Sequence, residues 1–268
     1  MNWLINGEAN SALSPLDRGL AYGDGVFRTL KVRARQPVWW RDQYAKLAHD
    51  CAALQLACPA SDLLLSEIEN VTQQHDHAVA KIIVTRGIGE RGYAPPKPAV
   101  PTRIVMASAL PDPAQMGQRV RVRWCNLRLA RQPQLAGIKH LNRLENVLAR
   151  QEWTDPDIAE GLLCDDTGAV IGGTRSNVFV MRQHVILTPD LRQSGIAGVT
   201  RDRILRAAAR HGIDIQVVRL EPANILEADE VFLSNSIVGL LPVAALDNRQ
   251  WHSPTWTAQF QQWIDETD

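Results

Sequence analysis

Residues 110–117, Leu-Pro-Asp-Pro-Ala-Gln-Met-Gly, hold two prolines and a glycine, and no helix or strand runs unbroken through that combination. A break there divides the 268 residues into two stretches, each long enough to bury a core without disulfide or metal staples. The expected organisation is an N-terminal domain over 1–110, a linker over 111–117 and a C-terminal domain over 118–268.

Before the break, Leu4-Ile5-Asn6-Gly7 reads as a strand entering a turn, and Val38-Trp39-Trp40 as a short strand. From Arg41, apolar Tyr44, Leu47, Ala48, Cys51 and Leu54 recur at helical spacing, with His49 and Asp50 expected off the apolar stripe and Pro59 ending the helix. Ser61-Asp62 offers an N-cap for a second helix with Leu64, Leu65, Ile68 and Val71 inward. The β-branched runs 81–85 and 103–107 read as buried strands. After the break come a strand around Val120 and Val122, a helix following Lys139, and strands at 161–164, 177–181 and 184–188. A helix from about Thr200 to Arg210 and a strand at 231–233 complete an α+β pattern without repeats.

Hydrophobic residues make up 45% and charged residues 22% of the chain, which argues against long disorder, collagen or a fibrous repeat. Lys plus Arg, 29 in all, match 29 Asp plus Glu, removing the electrostatic case for a general binder of nucleic acid or acidic membranes. Cys51, Cys58, Cys125 and Cys164 form no C-x-x-C pair and read as core thiols in a reducing cytosol. The first eight residues lack a basic stretch leading into an apolar one, and no window approaches the roughly 20 apolar residues of a membrane span. The expectation is a soluble cytoplasmic protein.

Gly87-Ile88-Gly89-Glu90-Arg91-Gly92 matches G-x-G-x-x-G after a strand, but Tyr93-Ala94-Pro95-Pro96 cannot open the helix that a dinucleotide pyrophosphate requires. A loop carrying Arg86, Arg91 and Tyr93 over a site suits carboxylate recognition; solvated loop charges are the alternative. There is no G-x-S-x-G and no H-E-x-x-H, and His75-Asp76-His77 lies in a polar turn, so neither a serine hydrolase nor a metal centre is expected. Lys139 follows a glycine and an isoleucine just before a helix, where an amine is partly desolvated, lowered in pKa and able to form a Schiff base; a surface lysine is the bland alternative.

The segment Ala136-Gly137-Ile138-Lys139-His140-Leu141-Asn142-Arg143-Leu144-Glu145 resembles the aminodeoxychorismate lyases of the branched-chain and D-amino-acid aminotransferase superfamily. The resemblance runs over nearly the whole chain. Asp17-Arg18-Gly19 with Gly23-Asp24-Gly25-Val26-Phe27 resembles the family's opening motif, and Arg86-Gly87 through Arg91-Gly92-Tyr93 its R-G…R-G-Y loop. Gly173-Thr174-Arg175-Ser176-Asn177-Val178-Phe179 resembles a strand entry, Gly198-Val199-Thr200-Arg201 a phosphate-binding turn, and Ser234-Asn235-Ser236 a last phosphate contact.

The resemblance implies a two-domain fold-type IV enzyme: a small N-terminal α/β domain and a larger C-terminal domain with a β-barrel-like core. It implies pyridoxal 5'-phosphate on catalytic Lys139 between the two domains, cofactor contacts from Lys46, Val199, Thr200, Asn235 and Ser236, and a homodimer. Thr200 also suits a plain helix N-terminus, and the two roles are compatible. The implied reaction converts 4-amino-4-deoxychorismate to 4-aminobenzoate and pyruvate in folate biosynthesis, with a functional link to aminodeoxychorismate synthase. Arg91, Tyr93, Asn142 and Arg143 are the candidates for binding the substrate, although Asn142 and Arg143 suit bracing of the lysine segment as well. The alternatives are a D-amino-acid or branched-chain aminotransferase, or a degenerate homologue that only binds the cofactor.

Two positions depart from the family pattern. Gly172 stands where relatives place a glutamate on the pyridine nitrogen, which disfavours transamination more than elimination. Lys46 stands where relatives have a phosphate-gripping arginine, keeping the charge but losing the fork. Charge is also uneven: residues 119–150 carry eight basic groups against one acidic, a local field suited to an anionic cofactor and a dianionic substrate, while Arg119, Arg121 and Arg123 share a strand face that can simply meet solvent.

Overall fold

The computed structural model describes residues 2–111, 119–183 and 185–266. Residues 112–117 of the expected linker, and His184 at the start of an expected strand, lie outside them. The chain divides into two compact units, one of residues 1–110 with 138–142 and the other of 111–137 with 143–268. The short segment around Lys139 therefore belongs with the first unit, although the sequence reading placed all of 118–268 in the second.

The first unit contains β1 (Asn2–Ile5), β2 (Glu8–Ala9), α1 (Arg18–Tyr22), β3 (Gly25–Arg33), β4 (Gln36–Pro37), α2 (Trp40–Ala53), α3 (Ser61–Thr72), β5 (His77–Thr85) and β6 (Thr102–Ala109). Its strands form one antiparallel sheet in the order β2-β1-β6-β5-β3-β4. The period of two in β3 turns Val26, Leu30 and Val32 inward onto Leu47 and Cys51 of α2 and Leu64 and Ile68 of α3, forming the core. The same period turns Arg28 inward, and a cation there needs a partner.

That demand corrects one expectation. Asp50 lies on the buried face of α2 with Gln43, Leu47 and Cys51, because Arg28 draws it inward; His49 stays largely in solvent. Two boundaries also move. Trp39 adopts a left-handed conformation at φ 56°, so Trp40 opens α2 instead of continuing a strand. Ser61 is the first residue of α3 and not its cap.

The second unit contains β7 (Val120–Leu129), α4 (Leu144–Arg150), β8 (Ile158–Asp165), β9 (Val170–Gly173), β10 (Asn177–Arg182), β11 (Val185–Pro189), α5 (Val199–Arg210), β12 (Ile215–Val218), α6 (Pro222–Leu226), β13 (Glu230–Asn235), β14 (Gly239–Leu246), β15 (Arg249–Gln250) and α7 (Thr255–Asp265). Its sheet runs β12-β11-β10-β13-β14-β7-β8-β9, with β15 against β14, and the β11–β12, β14–β7 and β7–β8 pairs are parallel. The sheet curls into a half-barrel: a bridge joins Val170 of β9 to Leu220, and the Gly173 N–H bonds the Ser176 carbonyl just before β10. The result is a mixed α+β, fold-type IV architecture, as the motifs implied.

The basic stretch 119–150 is partly neutralised within this unit. Arg121 pairs with Asp157, Arg123 with Glu152 and Arg131 with Asp166.

Candidate active site

Residues 138–142 run as an extra partial strand beside β3. The Phe27 N–H donates to the Lys139 carbonyl at 2.9 Å, the Leu141 N–H donates to the Gly25 carbonyl at 2.9 Å, and His140 bridges Val26. Alternation buries Ile138 and His140 and leaves Lys139 half-buried on the other side, its ammonium 4.5 Å from the centroid of the Phe27 ring. The following helix starts only at Leu144, so Lys139 is positioned by sheet hydrogen bonds and not by a helix end.

The Lys139 N–H donates to Asp50 Oδ2 at 3.2 Å, and the same oxygen accepts from Arg28 Nη2 at 2.8 Å. Asp50 Oδ1 accepts from Lys46 Nζ, one helical turn away, and lies 3.2 Å from His49 Nδ1. Burial pushes the Lys46 ammonium below its ordinary pKa while Asp50 works against that shift. Two lysines singled out from the sequence thus meet on one carboxylate that sequence reasoning missed. The only signal for it was the Lys46–Asp50 spacing of four on a helix.

Arg91 and Tyr93 are exposed in the loop after β5, which no helix follows, so the glycine pattern there is not a dinucleotide fingerprint. Arg18, itself buried, holds this loop: its guanidinium donates to the carbonyls of Gly92 at 2.9 Å and Tyr93 at 2.9 Å and pairs with Asp24 at 2.9 Å. Arg86 meets the same Asp24 oxygen at 2.8 Å and donates to the Leu54 carbonyl, so it braces the unit and does not reach out over a site. The Tyr22 and Tyr93 rings pack with centroids 5.5 Å apart. Asn142 donates to the Gly23 carbonyl at 3.1 Å.

In the second unit, α5 begins at Val199 with Gly198 as its N-cap residue and no side-chain cap. Thr200 is therefore inside the first turn and is not the cap. Its hydroxyl lies 3.4 Å from that of Ser236. The Gly198 N–H donates to Asn177 Oδ1 at 3.1 Å, and a Cβ at 198 would lie 2.5 Å from that oxygen, so the close approach requires glycine. First-turn N–H groups, the positive end of the helix dipole and two hydroxyls make a donor set that fits a phosphate ester. Asn235 uses its Oδ1 to accept the Ile237 and Val238 N–H groups, both at 2.9 Å, and shapes the turn holding Ser236. Arg143 is half-buried and donates to Asn146 Oδ1 at 3.4 Å.

Glu160, buried on β8, accepts from the N–H groups of Thr174 and Arg175 and the hydroxyls of Thr174 and Ser176, organising the loop into β10. Gly172 lies just before that loop. Among the described residues no cluster of His, Cys, Asp and Glu could hold a metal, and no helix is long and apolar enough to cross a membrane.

The amino-transferase class IV family model matches residues 25–246. Aminodeoxychorismate lyase of Vibrio harveyi is 33% identical over 250 residues, covering 92% of this chain and 91% of that protein. The crystal structure of 4-amino-4-deoxychorismate lyase from Pseudomonas aeruginosa superposes with a TM-score of 0.92 at 42% identity, covering 99% of both chains. D-alanine aminotransferase of Bacillus licheniformis is 26% identical over 259 residues, covering 93% of this chain and 89% of that one. With the family model matching residues 25–246 and a lyase relative 33% identical over nearly its whole length, this chain belongs to the class IV aminotransferase family.

Proposed function

We propose that the protein is a 4-amino-4-deoxychorismate lyase, which releases pyruvate from its substrate and leaves 4-aminobenzoate. The observation that carries the reading is Lys139, a half-buried residue held at both its N–H and its carbonyl. The likeness to the two lyases over nearly the whole chain supports elimination above amino transfer.

Pyridoxal 5'-phosphate is the cofactor of the fold-type IV enzymes, and when bound it supplies an electron sink for charge developing at the substrate carbon. Lys139 would hold it through its amine. Val199, Thr200 and Ser236 would receive the phosphate, Lys46 would add positive charge, and Asn235 would fix the Ser236 turn. Lys139 would then take the proton from the amine-bearing ring carbon as general base and return a proton to the departing enolpyruvyl group, whose carbon–oxygen bond breaks as the ring becomes aromatic. Gly172 would offer the cofactor's ring nitrogen no carboxylate, which would disfavour amino transfer more than elimination, because elimination passes its electrons to a leaving group.

The substrate carries two carboxylates, for which Arg91 and Arg143 offer guanidinium forks, with Tyr93 and Asn142 as neutral donors. A homodimer is supported by the exposed apolar residues Leu144, Val147 and Leu148 of α4 and Leu16, Leu20 and Ile88 of the first unit. Four free thiols support a cytoplasmic setting, in which an aminodeoxychorismate synthase would supply the substrate.

The test is pyruvate release from 4-amino-4-deoxychorismate by the wild type and Lys139→Ala. Wild-type release, with a loss of about 10²-fold or more in the variant, is expected. Equal rates would overturn the mechanism, and rapid amino transfer from D-alanine to 2-oxoglutarate without pyruvate release from aminodeoxychorismate would make the protein an aminotransferase.

A further inference from the structure

Asp50 is fully buried and joins three pieces of chain that are far apart in sequence: β3 through Arg28, α2 through Lys46 and His49, and residues 138–142 through the Lys139 N–H. A carboxylate needed only to neutralise Arg28 would be satisfied by that ion pair. This one also spends part of its capacity on the backbone of the residue whose amine is the candidate for the chemistry.

We propose that Asp50 is a positioning residue for Lys139: one buried carboxylate fixes the peptide from which the lysine side chain departs and holds the Lys46 ammonium beside it. The proposal rests on the lyase reading given above.

The geometry explains how a residue that touches no substrate acts on the reaction. The Lys139 peptide is pinned on one side by the Phe27 N–H and on the other by Asp50 Oδ2. With both backbone groups held, only the side-chain torsions remain to aim the amine. A base misplaced by 1 Å can cost roughly 10²-fold in rate, so the second pin matters as much as the first. The charge is also set here. Among the described residues, Asp50 meets Arg28 from β3 and Lys46 and His49 from α2, adjoins Cys51 on the same helix, and bonds the backbone of Lys139. Removing it leaves Arg28 and Lys46 without the carboxylate they share and so changes the charge within the unit that carries Lys139.

The experiment uses holoenzyme of the wild type, Asp50→Asn and the double variant Arg28→Met with Asp50→Leu. The double variant removes the buried ion pair together, which proteins often tolerate, and keeps the test open if Asp50→Asn fails to fold. Three quantities are read: kcat and KM for pyruvate release, the pH dependence of the cofactor's visible absorption band, and the fraction of chain in which borohydride fixes the cofactor to Lys139. Expected are a fall of roughly 10²-fold in kcat with KM little changed, and a displaced pH midpoint of the band. A folded, cofactor-loaded variant with wild-type kcat and an unmoved midpoint would reduce Asp50 to a structural partner of Arg28 and overturn the proposal. A wild type that neither takes up the cofactor on Lys139 nor releases pyruvate would instead overturn the lyase reading itself.

Discussion

Phe27 holds Lys139 twice: its N–H bonds the lysine carbonyl at 2.9 Å, and its ring centroid lies 4.5 Å from the lysine ammonium. The backbone bond survives any substitution other than proline, so the ring can be tested alone. Phe27→Leu removes a contact worth about 0.5–1 kcal/mol, and kcat for pyruvate release is expected to fall about two- to fivefold with the fold intact. An unchanged kcat would mean that the ring has no part in orienting the amine.

Arg18 supports the loop of Arg91 and Tyr93 through the carbonyls of Gly92, Tyr93 and Ala94, which a lysine cannot fork across. Arg18→Lys is expected to speed tryptic cleavage after Arg91 and to raise KM more than it lowers kcat. Cleavage at the wild-type rate would show that the loop is held by other contacts.

Burial pushes the Asp24 carboxyl upward, but hydrogen bonds from Arg86 and Arg18 outweigh it and hold the group below its ordinary value of 3.8. A carboxyl depressed in the folded state contributes stability above its unfolded pKa and loses it as pH falls through the folded value. Urea unfolding should therefore show a decline beginning near pH 3.8 that is shallower in Asp24→Asn.

Glu160 satisfies N–H and hydroxyl groups of Thr174, Arg175 and Ser176 from a buried position. Glu160→Gln replaces an acceptor with a donor facing those groups, and a loss of about 1–3 kcal/mol in unfolding free energy is expected. Stability within experimental error of the wild type would show that the loop stands without it.

At Gly198 an added Cβ would meet Asn177 Oδ1 at 2.5 Å, in the turn that opens α5. Gly198→Ala should weaken binding of pyridoxal 5'-phosphate measurably in a direct titration, while Gly212→Ala, whose added carbon meets nothing within 4 Å and whose strain at φ 66° is confined to the far end of α5, should leave it unchanged. Equal affinity in the two variants would remove the α5 turn from the phosphate site.

The sequence by itself determined the class of fold and marked Lys139 and the turn at Gly198 as candidates. These are legible because they are local: β-branched runs make strands, apolar spacing makes α2 and α5, and the motifs around Lys139 and Gly198 are contiguous in the chain. Only the tertiary structure decided that Asp50 is buried, since α2 read alone gives no reason to turn a carboxylate inward. The reason lies 22 residues earlier, where the period of β3 forces Arg28 into an apolar core, and 89 residues later, where Lys139 lends its N–H. Local pattern fixes which side chains can do chemistry. A buried charge must find its partner wherever the fold brings one, and that pairing of distant residues is what sets their aim.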